Sequence, residues 1–143
     1  MRTPTNSTSQ QNLWDNYDNT EDSMGFVNED TNPRLVAFAP DSMRYSQNPS
    51  AYSGTWTFFV ITYNGSSSSM RINGVEKVTG GVGSNDSFGI TLGRARGSGY
   101  GSPSNIILGE FMVFDEALSA SDITKINNHF AAKWGITDWF LNI

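Results

Sequence analysis

Residues 55–78 read TWTFFVITYNGSSSSMRINGVEKV, and this stretch decides the fold class of the chain. Residues 55–63 carry large apolar side chains at both alternating sets of positions, so a strand here has both faces at least partly covered. Asn73-Gly74 then separates two β-prone runs, and Asn-Gly is the strongest short-range signal for a hairpin with a two-residue turn. The stretch therefore predicts a strand, a flexible connection over residues 64–68 and a tight hairpin.

Further β-prone runs lie on both sides of this stretch. Residues 24–28 and 34–39 are separated by a turn-forming cluster and predict another hairpin. Residues 88–92 and 106–114 each follow a glycine-rich turn and predict two more strands. The polar tract at residues 41–54 is predicted to be a loop. About seven strands at this spacing are typical of a β-sandwich.

One segment near the C-terminus predicts a helix, over about residues 121–134. Ser119 is placed to cap its N-terminus, with Asp122 at the third helical position. Gly135 lies where a helix terminator is expected. Spacings of three and four residues place these apolar side chains on one stripe: Ile123, Ile126, Phe130 and Trp134.

The predicted fold class is all-β: one antiparallel β-sandwich with a single C-terminal amphipathic α-helix. A length of 143 residues suits one domain with one core. Residues 1–22, rich in Asn, Asp, Ser and Thr, are predicted to form an extended polar arm or irregular edge structure. Residues 23–143 are then the sandwich domain.

Charge and composition argue against several classes of partner and chemistry. A net charge of −5 disfavours binding to nucleic acid or to an anionic membrane, since both need clustered Lys and Arg. The sequence has no 18-residue apolar run and a polar start at residues 1–11, so we expect no membrane span and no export signal. The absence of cysteine excludes disulfides and thiol catalysis.

Five motifs lie in order along about residues 54–136: TWTFFVITYNG (55–65), MRINGV (70–75), ITLG (90–93), GEFMVF (109–114) and ALS…KWGI (117–136). In this order they resemble the motifs of the laminin-G-like branch of the concanavalin A-like lectin and glucanase sandwiches, and the resemblance implies a jelly roll. The closing ALS…KWGI is similar to the ending common in surface-displayed and phage-borne members. Members usually have several strands before the Trp-bearing one, so we expect a shortened sandwich or one completed by a neighbouring chain.

The same architecture also carries glycosidases, which place two or three carboxylates on alternating residues of one strand. This chain has no such array. Glu110 is alone in an apolar run, and Asp115-Glu116 are adjacent and would point to opposite sides of a strand. We therefore predict that the protein is not an enzyme. His129, the single histidine, is predicted to be a partly exposed helix residue.

The glycine-rich loop at residues 93–104 is a candidate ligand-binding loop. Arg94, Arg96 and Tyr100 would present cations and an aromatic ring to a sugar or a protein partner. The alternative is a flexible surface loop without a ligand.

No cofactor is predicted, although calcium is a candidate ligand of the acidic cluster that contains Asp15 and Asp18. The spacing of that cluster does not match a calcium loop, and the alternative is a solvated polar arm. Trp14, Trp139 and Phe140 are candidate assembly contacts. For the last two, packing back onto the sandwich is equally compatible with the sequence.

Two functions follow from these expectations. The first is a non-catalytic virion structural protein, a capsid decoration or other surface subunit that forms a homo-oligomer and binds the major capsid protein or another virion protein. The second is a carbohydrate-binding module of a tail fibre or adhesion protein, which recognises a cell-surface glycan. The predicted location is the virion in the first case and the extracellular space or cell surface in the second.

Overall fold

The computed structural model describes residues 11–16, 23–29, 32–39, 41–46, 54–81, 90–93 and 106–136. In this part of the chain the strands form two antiparallel sheets, and one α-helix follows them. The strands are β1 Gln11–Asn16, β2 Ser23–Glu29, β3 Asn32–Ala39, β4 Asp41–Ser46, β5 Phe59–Thr62, β6 Ser68–Ile72, β7 Val75–Gly80 and β8 Ile90–Leu92.

The larger sheet has five strands in the order β4-β3-β2-β1-β8. The hairpin predicted from residues 24–28 and 34–39 is confirmed, because β2 and β3 pair antiparallel along their whole lengths. β8 confirms the end of the strand predicted at residues 88–92 and pairs with β1. Residues 88 and 89 lie outside the described residues.

Two polar segments form strands that the sequence did not predict. Gln11–Asn16, placed in the polar arm, is β1 and pairs with β2 on one side and β8 on the other. Asp41–Ser46, placed in a loop, is β4 and pairs with β3 at the edge of the sheet. Both expectations are corrected for these residues. Strand pairing uses backbone groups that every non-proline residue carries, so polar side chains do not prevent it.

The smaller sheet has the order β5-β6-β7 and confirms the predicted Asn-Gly hairpin. Asn73 and Gly74 have φ angles of 49° and 79°, the positive values that a type I′ turn needs at both central residues. The turn also holds the chain before β5: the Asn73 side chain accepts from the Phe58 N–H at 3.1 Å, and the Asn73 N–H donates to the Phe58 carbonyl at 2.9 Å. β5 is therefore shorter than the strand predicted over residues 55–63.

The connection between β5 and β6 is a 3₁₀ turn, Gly65–Ser67, and is more ordered than the flexible link predicted there. The buried Ser68 hydroxyl accepts from the Asn64 N–H at 2.9 Å and donates to the Gly65 carbonyl at 2.7 Å. The Ser68 side chain thus stabilises the turn through hydrogen bonds to two backbone groups at its start.

The core lies between the two sheets, which makes the fold a sandwich. Leu13 of β1 packs with Met70 and Ile72 of β6, and all three are at most 4% exposed. At one edge the sheets also meet through Tyr45 of β4 and Lys77 of β7, whose ammonium lies 6.0 Å from the ring centre. Partly buried side chains surround this core: Trp14, Tyr45, Phe59, Ile61, Tyr63, Val78 and Ile106.

The predicted helix is confirmed as α1, Ala120–Trp134. The Ser119 hydroxyl accepts from the Asp122 N–H at 3.2 Å and donates to the Asp122 carboxylate at 2.6 Å. Gly135 ends the helix in the left-handed conformation, φ 64° and ψ 32°. The predicted stripe faces the sandwich: Ile123 is buried, Phe130 packs on Phe58 and Trp134 packs on Trp56. Asn127 and Ala131 are the other buried positions of the helix.

Residues 106–114 do not form the predicted strand; a bridge at Ile107 is the only pairing assigned to this segment among the described residues. The prediction of a strand was wrong for this segment, in which Gly109 and Glu110 contact Trp134 and Lys133 at the end of α1. The segment therefore runs beside the sandwich with most of its apolar side chains exposed.

Candidate functional site

A cavity of about 970 Å³ lies between the chain around β5, the segment at residues 108–118 and one side of α1. β1 and β8 contribute Leu13, Trp14, Ile90 and Leu92 to its wall. Apolar side chains make up most of the lining, and such a cleft with few polar groups is the usual form of a ligand site.

The wall formed by α1 is built from two pairs of aromatic rings. The Trp134 and Trp56 ring centres lie 4.5 Å apart with the planes tilted by 39°. One helical turn earlier, Phe130 stacks on Phe58 with the ring centres 5.4 Å apart. Contacts of this kind add about 0.5–1.5 kcal/mol each to the burial of the rings. These two ring pairs explain why Phe130 and Trp134 lie four positions apart, on the same side of the helix.

Glu110 is the main polar group of the cavity and is held by three side chains of α1. Its carboxylate accepts hydrogen bonds from the Lys133 ammonium and the Trp134 indole and lies 3.0 Å from Nε2 of His129. The Lys133 bond lowers the pKa of Glu110, partial burial opposes this, and the His129 and Trp134 bonds reinforce it. The group is therefore a carboxylate that stays ionised.

This state of Glu110 is the opposite of what glycoside hydrolysis needs from an acid. The proton donor of a glycosidase has a raised pKa and faces a second carboxylate across the scissile bond. The other carboxylates of the lining, Asp115 and Glu116, are exposed neighbours in the chain. Glu110, with its lowered pKa, therefore differs from the proton donor of a glycosidase.

Gly109 makes the close approach of the segment to α1 possible. A Cβ atom at this position would lie 2.7 Å from Cζ2 and 2.8 Å from Cη2 of Trp134, well inside van der Waals contact. The indole therefore occupies the space that any other residue would need. Glycine here lets Glu110 reach Lys133.

Most of the site residues predicted from sequence fall outside the described residues: Arg94, Arg96, Tyr100, Asp18, Trp139 and Phe140. Their ligand-binding, calcium-binding and assembly roles stay predictions. The structure does place the backbone of Asp15 in β1, opposite Ser23 and Thr91.

Trp14 is half-buried, and its ring meets that of Tyr63 edge-on with the ring centres 5.8 Å apart. The side chain thus contributes to the core and the cavity wall, and its predicted assembly role remains to be tested. Within the described ranges, no group of three or more His, Asp or Glu side chains is placed to hold a metal ion. No helix described here is long and apolar enough to cross a membrane.

Sequence reasoning missed the cluster of Glu110, His129 and Lys133. The signal was available, because residues four apart lie on the same helix face, and Glu110 is the single charge in residues 106–114. A lone carboxylate in an apolar segment needs a polar partner. His129 and Lys133, four positions apart on α1, supply it.

Two packed antiparallel sheets followed by one helix are consistent with a concanavalin-like β-sandwich with a C-terminal helix. The family model described as the concanavalin A-like lectin/glucanases superfamily, a laminin-G-type family, matches residues 2–124, and the chain belongs to this family. The match begins inside the predicted polar arm, in agreement with the position of β1 in the sheet. No curated protein and no solved structure matches the chain.

Proposed function

We propose that this protein is a non-catalytic, lectin-like subunit of a virion surface, which binds the major capsid protein or another virion protein. The state of Glu110 carries the non-catalytic part of the proposal: its carboxylate is engaged by Lys133, His129 and Trp134, and its pKa is lowered. A group in this state serves to fix α1 on the sandwich.

The closing motif supports the link to virion proteins. It resembles the ending of phage-borne family members. Each residue of its last part, KWGI (133–136), has a defined structural role here. Lys133 binds Glu110, Trp134 packs on Trp56, Gly135 ends the helix, and Ile136 is buried. The negative net charge favours a protein partner over nucleic acid.

The first experiment tests attachment to the particle. Because β1 begins at Gln11, a deletion of residues 1–10 removes polar sequence without removing a described strand. Incorporation of this variant into particles is compared with that of the exposed-surface variant Lys125→Ala. We expect the deletion to lower incorporation at least tenfold and Lys125→Ala to leave it unchanged. Equal incorporation of the two variants would reject the anchoring role of this segment.

The second experiment tests the absence of catalysis. The wild type and Glu110→Gln are incubated with a panel of oligosaccharides, and reducing ends are measured. We expect no hydrolysis above buffer with either protein. Hydrolysis by the wild type that disappears in Glu110→Gln would overturn the proposal.

Recognition of a cell-surface glycan is the second candidate function, favoured by the aromatic side chains in the cavity wall. Sugars bind through apolar faces on aromatic rings together with a few placed polar groups. Trp14, Trp56 and Tyr63 line the cavity near the polar Thr62 and Asn64.

A glycan array, run with and without calcium, separates the two candidates. Saturable binding that weakens in Tyr100→Ala or Arg96→Ala would favour the recognition module. A blank array in both conditions, together with normal incorporation into particles, would leave the structural role as the function.

A further inference from the structure

Residues 107–114 expose six large apolar side chains, here called the apolar row: Ile107, Leu108, Phe111, Met112, Val113 and Phe114. Their exposed fractions range from 38% for Leu108 to 61% for Val113. So many exposed large apolar side chains in one short segment are uncommon on a free protein and indicate a surface that is normally covered.

The end of α1 directs the chain into the same cavity. The Ile136 N–H donates to the Ala131 carbonyl at 3.2 Å, the six-residue bond of a Schellman motif, and so fixes the direction in which the chain leaves the helix. Ile136 is 6% exposed and lines the cavity together with five residues of the apolar row. The part of the chain that the structure describes therefore ends at the wall of the cavity.

The next seven residues are long enough to cover the row. Extended, they span about 23–25 Å. Glu110 is bonded to Lys133 and Trp134 at the end of the helix, and Phe114 lies four residues further on, at most about 14 Å away along the chain. Every member of the row is therefore within reach of the segment.

The composition of this segment fits an apolar surface. Residues 137–143 read TDWFLNI, in which Trp139, Phe140, Leu141 and Ile143 are large and apolar. A buried Trp or Phe removes about 150–250 Å² from water. Left in solvent next to the apolar row, this segment would add to an unfavourable exposed surface.

We infer that residues 137–143 pack over the apolar row of their own chain. The same chain is favoured over a second copy because the segment starts at the cavity and loses no translational freedom on docking. A neighbouring molecule would have to offset an association cost of about 4 kcal/mol or more. The inference is independent of the proposed function and assigns Trp139 and Phe140 to an intramolecular contact.

Hydrogen exchange tests the cover directly. Exchange at residues 106–114 is measured in the full chain, in a variant ending at Ile136, and in the double variant Trp139→Ser/Phe140→Ser, with Asn142→Ser as the matched control. We expect exchange to accelerate about tenfold or more in the first two variants and to stay unchanged in the control. The double variant keeps the test valid if the truncated chain does not fold. Equal exchange rates in the full chain and the double variant would overturn the inference.

Cross-linking identifies which chain supplies the segment. The protein has no cysteine, so the pair Val113→Cys/Phe140→Cys creates a unique site for a short bis-maleimide. We expect a link within one chain, with the monomer mass. The control pair Ser121→Cys/Phe140→Cys, whose first member lies in the first turn of α1, about 20 Å from its end, should not link. Links between chains, or equal linking of both pairs, would contradict the inference.

Discussion

The substitution Gly109→Ala tests how the segment at residues 106–114 is held against α1. The new methyl carbon would lie 2.7 Å and 2.8 Å from Cζ2 and Cη2 of Trp134, about 1 Å inside ordinary contact between carbon atoms. The indole has little room to move, since its ring packs on Trp56 at 4.5 Å and its N–H donates to Glu110. Either Trp134 or the segment must shift.

Overpacking of this kind costs about 1–3 kcal/mol. For a domain of this size we expect the melting temperature to fall by about 3–10 °C. Gly81→Ala is the matched control, because its Cβ would meet its nearest neighbour only at 4.0 Å. Thermal unfolding followed by circular dichroism and tryptophan fluorescence measures both variants.

A double-mutant cycle separates the clash from any other effect of the methyl group. Trp134→Phe removes the part of the ring that the new Cβ would meet, so Gly109→Ala should cost less in that background than in the wild type. If Gly109→Ala and Gly81→Ala melt at the same temperature, the contact between the segment and α1 is not as described and the reasoning fails.

Three further predictions concern the helix and its partners. Ser119→Ala should lower the free energy of unfolding by about 1 kcal/mol because it removes the helix cap, whereas Ser121→Ala should change it little; urea denaturation compares the two. Glu110 has a lowered pKa, so its contribution to stability is present above the ordinary glutamate pKa of about 4.3 and is lost as the pH falls through the lower folded value. Melting temperatures between about pH 6 and pH 3 should therefore fall less in Glu110→Gln than in the wild type, and parallel curves would contradict this role. Asn127 is 5% exposed, and its side-chain oxygen has no partner among the described residues, so Asn127→Leu should leave the melting temperature unchanged or raise it; a fall of more than about 5 °C would show that the amide is used.

Local signals predicted the parts of the fold that depend on neighbouring residues. Asn73-Gly74 specified its own turn through two positive φ angles, and Ser119 and Gly135 specified the ends of α1. The β2–β3 hairpin was equally predictable, since only two residues separate its strands in the sequence.

Elements that depend on distant partners were not predictable in the same way. β1 and β4 have mostly polar sequences. They become strands because their backbone groups pair with other strands, β1 with β2 and β8, and β4 with β3. Residues 106–114 show the reverse case: an apolar β-prone run is held by contacts with Trp134 and Lys133. An apolar run indicates that its side chains pack against other residues. The pattern alone does not say whether the run packs as a strand.

The candidate site was predicted less completely than the fold. From the sequence Glu110 was only a lone charge in an apolar run, because its partners on α1 come from tertiary packing between residues 19 and 23 positions apart. The loop and tail residues selected for ligand binding and assembly lie mostly outside the described residues, so those predictions await direct tests.

Quantitative mass spectrometry of purified virions tests the central claim most directly. The account predicts that this chain co-purifies with particles at a fixed ratio to the major capsid protein, and that the ratio withstands washing at high salt. Absence of the chain from washed particles, or a ratio that varies between preparations, would contradict a role as a virion surface subunit.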